Sequence, residues 1–310
     1  MQLIVALVTL PRYWKSQMMN IVMQKGISLL KSIKDWYSNS LRDAPYFGYI
    51  DAVRWHSIPL CNQVRYYLRR PLLLSPVKFR LPGCEHPIWL RPRTSDYQVY
   101  RQVFVDQEYG DLEGLTDVRF VIDGGANIGL VSVYLLNRFR QATVLAVEPD
   151  KENLSICRRN LAPYGSRAMM LQGGLWSHRT RLAVVPSEFG GGNKWGIRVR
   201  PLRDGANDCE AVEGYDVHSL LVYANMKHVD ILKVDIERSE LSVFSASANR
   251  WLSRIRNLVI ELHGEDCCRV FFAALERFKY RLSQRGDLTY CLDLEEQPTD
   301  TAILTAGTLN

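Results

Sequence analysis

The run Val121-Ile122-Asp123-Gly124-Gly125-Ala126-Asn127-Ile128-Gly129 constrains this chain more than any other, because Val144-Leu145-Ala146-Val147-Glu148-Pro149-Asp150 follows it. A short apolar run ends in an acid and a turn of small residues. The turn opens onto an apolar helix, Leu130 to Phe139. A second apolar run then ends in Glu148, about 20 residues past the last glycine. That is the layout of a βαβ nucleotide-binding half. The glycines let the backbone approach a ligand closely, and a carboxylate at the tip of the second strand can grip a ribose diol.

The chemistry of the turn bears on which nucleotide fits. A dinucleotide fold seats a pyrophosphate on a helix N-terminus through Gly-x-Gly-x-x-Gly. Here the pattern is Asp123-x-Gly125-x-Asn127-x-Gly129, with a carboxylate at its mouth. Asp123 would repel a pyrophosphate and suit a ligand with an ammonium group and no phosphate. S-adenosylmethionine, with its amino-acid tail, sulfonium and ribose diol, meets that description. The plainer reading, an ordinary turn whose Asp caps the helix, leaves Glu148 unexplained.

With 310 residues the chain can bury a large core in one or two domains. A formal charge of +6 is too small to argue for nucleic acid. Seven cysteines, at 61, 84, 157, 209, 267, 268 and 291, form neither a disulfide framework nor a zinc spacing. Free thiols point to a reducing compartment, the cytoplasm. The opening run Met1 to Leu10 is too short to span a bilayer and lacks the marks of a signal peptide. Residues 17–36 mix Ile21, Met23, Ile27, Leu30 and Ile33 with Lys25, Lys31 and Lys34. They suit either an amphipathic helix on a membrane surface or, as favoured here, a helix packed on protein.

Residues 1–75 read as a helical extension with stops at Pro59 and Pro71, and 76–310 as the catalytic domain. Val77 to Arg91 reads as two short strands around Pro82-Gly83, and Thr94 or Ser95 as the N-cap of a helix through Phe104. From Arg119 onward strands (119–122, 143–147, 168–172, 230–234, 257–262) alternate with helices (130–139, 151–161, 219–225, 240–250, 266–278). A final strand pair is expected near 280–283 and 289–292. This pattern predicts an α/β, doubly wound, mostly parallel sheet. Strands at 181–185 and 197–199 flank the glycine-rich loop Gly190–Gly196, either a lid over the acceptor or a hairpin tip.

Ligand in such a sheet lies beyond the carboxyl ends of the strands. The third strand runs into Gly173 and Gly174, small enough to leave room for an adenine ring, and Trp176 is a stacking or core residue. Asp150 reads as a helix cap. The fourth strand ends in Lys233-Val234-Asp235-Ile236-Glu237, placing Asp235 and Glu237 on one side where donor and acceptor should meet. Methyl transfer to a hydroxyl needs alignment and then removal of the hydroxyl proton. Asp235, Glu237 or His263, at the end of the fifth strand, is a candidate for that step; a neutral imidazole near pH 7 would suit it. No metal is expected.

Val-Ile-Asp-Gly-Gly-Ala-Asn-Ile-Gly, Val-Glu-Pro-Asp, Leu-Lys-Val-Asp-Ile-Glu-x-x-Glu and Val-Ile-Glu-Leu-His, in this order, resemble the FkbM-type methyltransferases across roughly residues 90–290. The resemblance implies a class I, Rossmann-like fold with a seven-stranded sheet, S-adenosylmethionine as cofactor and, typically, O-methylation of sugar units or secondary metabolites. Carried over by position, it implies that Asp123, Gly125, Asn127 and Gly129 hold the donor's methionine portion and Glu148 its ribose. Asp235 and Glu237 would border the reaction centre. Arg238 departs from the family's usual glycine. It would carry strain if its φ is positive, or point into the acceptor pocket and favour an acidic substrate.

The expectation is a cytoplasmic O-methyltransferase acting on a small-molecule or glycan acceptor, not on nucleic acid. The rivals are a catalytically silent S-adenosylmethionine-binding protein and, much less suited to Asp123, an NAD-dependent oxidoreductase.

Overall fold

The computed structural model describes residues 31–46, 48–67, 71–72, 74–186, 196–202 and 210–298. The chain divides into two compact units, Met1–Arg93 and Thr94–Asn310. Most of the 17–36 segment and most of the Gly190–Gly196 loop lie outside the described residues.

In the first unit a helix over 31–46 (α1) precedes α2, Tyr49–Tyr67. The two share a buried pair, His56 Nε2 to Asp43 at 2.7 Å. The expected stop at Pro59 does not occur, and α2 continues through it. Proline removes one helical hydrogen bond. Its own ring is exposed, while the neighbouring Trp55 and Ile58 are buried. Trp55 meets Phe79 edge-on at 5.2 Å, tying α2 to the hairpin β1 (Val77–Phe79) and β2 (Ile88–Leu90).

The second unit opens with α3, Asp96–Tyr100, after N-cap position Ser95, and its continuation Arg101–Val105 is a π-helical turn. The strands that follow are β3 (Phe120–Gly124), β4 (Thr143–Glu148), β5 (Ala168–Gln172), β10 (Ile231–Val234), β11 (Leu258–Glu261), β12 (Phe278–Arg285) and β13 (Leu288–Glu296). They form one sheet in the order β12-β13-β11-β10-β3-β4-β5. The five strands from β11 to β5 pair in parallel, and β13 runs against both its neighbours. Helices α4 (Leu130–Arg138), α5 (Lys151–Leu161), α6 (Val217–Tyr223), α7 (Glu240–Val243) and α8 (Glu265–Ala274) complete the doubly wound α/β unit. The order turns back beside β3, the switch point where ligands bind in such sheets.

Asp150 caps α5, accepting from the Asn153 N–H at 2.8 Å. The helix expected over 240–250 ends at Val243, and a 3-10 turn over Ala246–Arg250 follows. A smaller sheet, β6-β9-β7-β8, holds Gly174–Leu175, Ala211–Tyr215, Thr180–Pro186 and Ile197–Pro201. Trp176 packs on its apolar cluster of Leu182, Val199 and Val212, so it is a packing residue. The main core gathers Phe244, Trp251 and Phe271, with ring centroids 5.5 and 4.9 Å apart. No described helix is long and apolar enough to cross a membrane.

Candidate functional site

The carboxyl ends of β3, β4, β10 and β11 open onto a cavity of about 320 Å³, within the size range of small-molecule sites. Gly125, Asn127, Glu148, Gly174, Asp235, Glu237 and His263 all line it. Seven of the nine expected site residues therefore converge. Asp123 and Gly129 contribute none of its surface.

Asp123 is fully buried and already partnered. The parallel register sets Lys233 of β10 directly beside it. The Lys233 ammonium lies 3.2 Å from Asp123 Oδ1, and Ser132 Oγ donates to Oδ2 at 2.6 Å. Lys233 also donates to the Gly125 carbonyl at 2.8 Å and stands 3.8 Å from Asp235 Oδ2. Burial alone would lower the lysine's pKa; Asp123 and Asp235 more than offset this and hold it above the ordinary value. The expected direct grip of Asp123 on a ligand's ammonium is thus replaced by a grip on an internal one. Lys233 escapes a search confined to strand tips. Its signal in the sequence is a charged residue inside Ile-Leu-Lys-Val.

The glycines act in different ways. A Cβ on Gly125, at φ +76°, would lie 1.8 Å from the Asp235 carbonyl oxygen, so only glycine lets β3 and β10 close at their tips. A Cβ on Gly129, at φ +80°, would meet Cys157 Sγ at 2.8 Å, which makes this residue a packing point between α4 and α5. The missing side chain of Gly174 makes room for Leu182 and Val199, and the residue lines the cavity.

Glu148 is buried at the end of β4. It accepts from the N–H groups of Asn127 (2.7 Å) and Asp150 (3.0 Å). Burial raises its pKa to about 7, against the lowering effect of those hydrogen bonds. Asn127 takes left-handed backbone, φ +51°, and its buried Oδ1 has no hydrogen-bond partner among the described residues. A polar atom buried beside a cavity without a partner is what a bound ligand would satisfy. Glu148 and Asn127 therefore fit a ligand offering hydroxyl or ammonium hydrogens, as S-adenosylmethionine does.

At the other end stand Asp235, Glu237, Glu261 and His263. The fully buried Glu240 holds His263 Nδ1 at 3.0 Å. His263 Nε2 then faces Glu261 at 3.5 Å and Asp235 Oδ1 at 4.0 Å. Burial alone would lower the pKa of this imidazole; the hydrogen bonds to Glu240 and Glu261 outweigh it and push it up to about 11. The expected neutral imidazole is therefore a cation among carboxylates. Burial, chiefly, also raises Asp235. Glu108 and Asp287, neither of them among the expected site residues, line the same cavity. Glu108 is raised to about 7 by burial and by the charges of Asp287, Glu261, Asp106 and Asp235.

Glu237 and Arg238 both take left-handed backbone, at φ +53° and +74°. Arg238 therefore bears the strain expected of a non-glycine residue there. It does not enter the cavity: its guanidinium pairs with Asp266 at 2.7 Å, which removes the basis for an acidic substrate.

The chain is similar to known methyltransferases. Methyltransferase sdnD of Sordaria araneosa is 28% identical over 197 residues, 53% of this chain and 73% of that protein. Methyltransferase 1 of Beauveria bassiana is 27% identical over 184 residues, 53% of this chain and 72% of that protein. Among solved structures, the precorrin-6y C5,15-methyltransferase of Geobacter metallireducens aligns at 12% identity with a TM-score of 0.38, over 62% of this chain and 88% of that one. The methyltransferase FkbM domain matches residues 123–282, from the acid of β3 into β12. The chain belongs to the FkbM family of S-adenosylmethionine-dependent methyltransferases.

Proposed function

We propose that this protein transfers a methyl group from S-adenosylmethionine to a hydroxyl oxygen of a small molecule, a sugar unit or a secondary metabolite. The observation that carries the reading is one cavity with two different ends. Glu148 and the unpartnered Asn127 Oδ1 form a hydrogen-bond-accepting end suited to the donor. Asp235, Glu237, Glu261 and His263 form a charged end suited to the acceptor.

When bound, S-adenosylmethionine supplies a methyl group on a sulfonium. Glu148 would hold the ribose hydroxyls, each charge-assisted bond worth about 1.5–3 kcal/mol. Gly125 keeps the tips of β3 and β10 in contact, which fixes the distance between the two ends. As the acceptor oxygen gains the methyl carbon it must lose its proton, and Glu237 is the carboxylate assigned to take it. Its left-handed backbone is of a kind that persists where the surrounding fold over-determines it, often at active sites. The direct evidence would be calorimetric binding of S-adenosylhomocysteine, followed by screening of hydroxylated acceptors with labelled donor. Binding of NAD in place of S-adenosylhomocysteine would refute the donor assignment. Methylation of nitrogen or carbon centres, with no oxygen product, would refute the acceptor assignment.

A further inference from the structure

We propose that Asp235, Glu261 and His263 bind one divalent cation of the manganese class at the acceptor end of the cavity, the ion displacing the Nε2 proton of the His263 imidazolium to solvent. One nitrogen and two oxygens from these residues lie within 4.8 Å of one another. All three side chains are partly exposed, so an ion can reach them.

Three features separate this trio from a chance meeting of charges. The first is orientation. Glu240 is fully buried on α7 and occupies His263 Nδ1, which leaves Nε2 as the atom turned to the carboxylates. A carboxylate behind a histidine is the usual way a metal-binding imidazole is aimed. The second is spacing. At 3.5 Å from Glu261 and 4.0 Å from Asp235, Nε2 makes long contacts with both carboxylates. Around an ion with bonds of about 2.1 Å, neighbouring ligand atoms lie about 3.0 Å apart and opposite ones about 4.2 Å. The 3.5 and 4.0 Å separations lie between these two values, so the side chains must shift slightly to become ligands of one ion. The third is the division of Asp235. Its Oδ2 faces the Lys233 ammonium at 3.8 Å, and its Oδ1 faces His263. Lys233 makes its short contacts to Asp123 and the Gly125 carbonyl, leaving Asp235 Oδ1 turned to His263 and not to the lysine.

Two carboxylates suit a hard ion, the imidazole suits a first-row transition metal, and there is no thiolate, a set that fits manganese. Three protein ligands leave coordination positions open for water or an acceptor oxygen. That an acceptor oxygen occupies one of them rests on the methyl-transfer reading; the cation site itself does not.

The test is a titration of Mn²⁺ into the full chain after chelator treatment, with free ion followed by electron paramagnetic resonance. One equivalent should leave the free-ion signal, and the bound ion should show echo modulation from one imidazole nitrogen. Glu261→Gln and His263→Ala should each abolish stoichiometric uptake, while Glu240→Gln weakens it by about 10–100-fold. S-adenosylhomocysteine binding, measured on the same samples, verifies that each variant is folded. No uptake by the wild type, no nitrogen modulation, or uptake that survives both ligand substitutions would overturn the proposal. Mn²⁺ uptake without S-adenosylhomocysteine binding in the wild type would support the cation site and count against the donor reading alone.

Discussion

Replacing Lys233 with methionine tests the electrostatic centre of the site. Methionine approximates the length of the lysine stem and removes only the ammonium. Asp123, fully buried, would then keep Ser132 Oγ at 2.6 Å as its remaining partner. The Gly125 carbonyl would lose its 2.8 Å donor. Breaking a buried ion pair from one side costs about 3–5 kcal/mol, because the surviving charge is stranded away from water. With a urea dependence of about 3 kcal/mol per molar for a unit of this size, Lys233→Met should lower the unfolding midpoint by about 1–2 M. The double variant Asp123→Asn/Lys233→Met strands no charge and should recover about 2 kcal/mol relative to the sum of the single changes. Urea unfolding by circular dichroism gives the midpoints, and amide exchange in β3 and β10 locates the loss. A shift below about 0.3 M in Lys233→Met, or strict additivity in the double variant, would refute the reasoning. A direct grip of Asp123 on the donor predicts something else: Asp123→Asn would then lose S-adenosylhomocysteine affinity with no loss of stability.

Two further predictions concern the donor end and the strained turn. Glu148 has a pKa near 7 in the unliganded fold and must be ionised to accept ribose hydroxyls, so S-adenosylhomocysteine should bind about tenfold more weakly at about pH 6 than at about pH 8. Glu148→Gln should flatten that dependence, and calorimetry at the two pH values decides. For stability of the unliganded fold the sign is opposite. A carboxyl whose folded pKa lies above its unfolded value stabilises when protonated, and this contribution is lost as pH rises from about 4.5 through about 7. Arg238→Gly relieves a left-handed residue, worth about 1–2 kcal/mol, and gives up a partly exposed pair with Asp266, worth under about 1 kcal/mol. Arg238→Ala gives up the pair and keeps the strain. The glycine variant should melt above the alanine variant, and equal melting temperatures would remove strain from the account of this turn.

The parallel sheet was legible because buried parallel strands read as continuous apolar runs between turn signals. The expected 168–172 strand and 151–161 helix coincide with β5 and α5. Other elements were hidden by physics that local sequence does not express. The two-residue β6 and the β9 strand carry too little pattern to announce themselves. The helix expected over 240–250 stops at Val243, where Ser245 Oγ bonds back to the Ser242 carbonyl and the chain turns into a 3-10 segment. The site divides in the same way. Residues at strand tips were found because the fold sends them to one rim. Asp123 was found and its partner was not, because the Lys233–Asp123 register depends on how two strands far apart in sequence align. Glu108 and Asp287 enter the cavity from separate loops, and no spacing rule links them.

The charge balance of the cavity connects these findings. Glu108, Glu148, Asp235, Glu237, Glu261 and Asp287 line it, against Lys233 and His263. The lysine is turned toward Asp123, an acid outside the cavity wall. The lining is therefore short of positive charge, which is the physical reason that its like-charged neighbours reinforce burial in raising Glu108. A sulfonium and an ammonium on the donor, or a divalent ion at Asp235 and Glu261, each reduce that deficit. The deficit favours cationic occupants over a pyrophosphate, which would add to it. A fold that often serves dinucleotides is thereby turned against them by carboxylates spread along its strand ends, with the buried Asp123 acting through the lysine it holds in place.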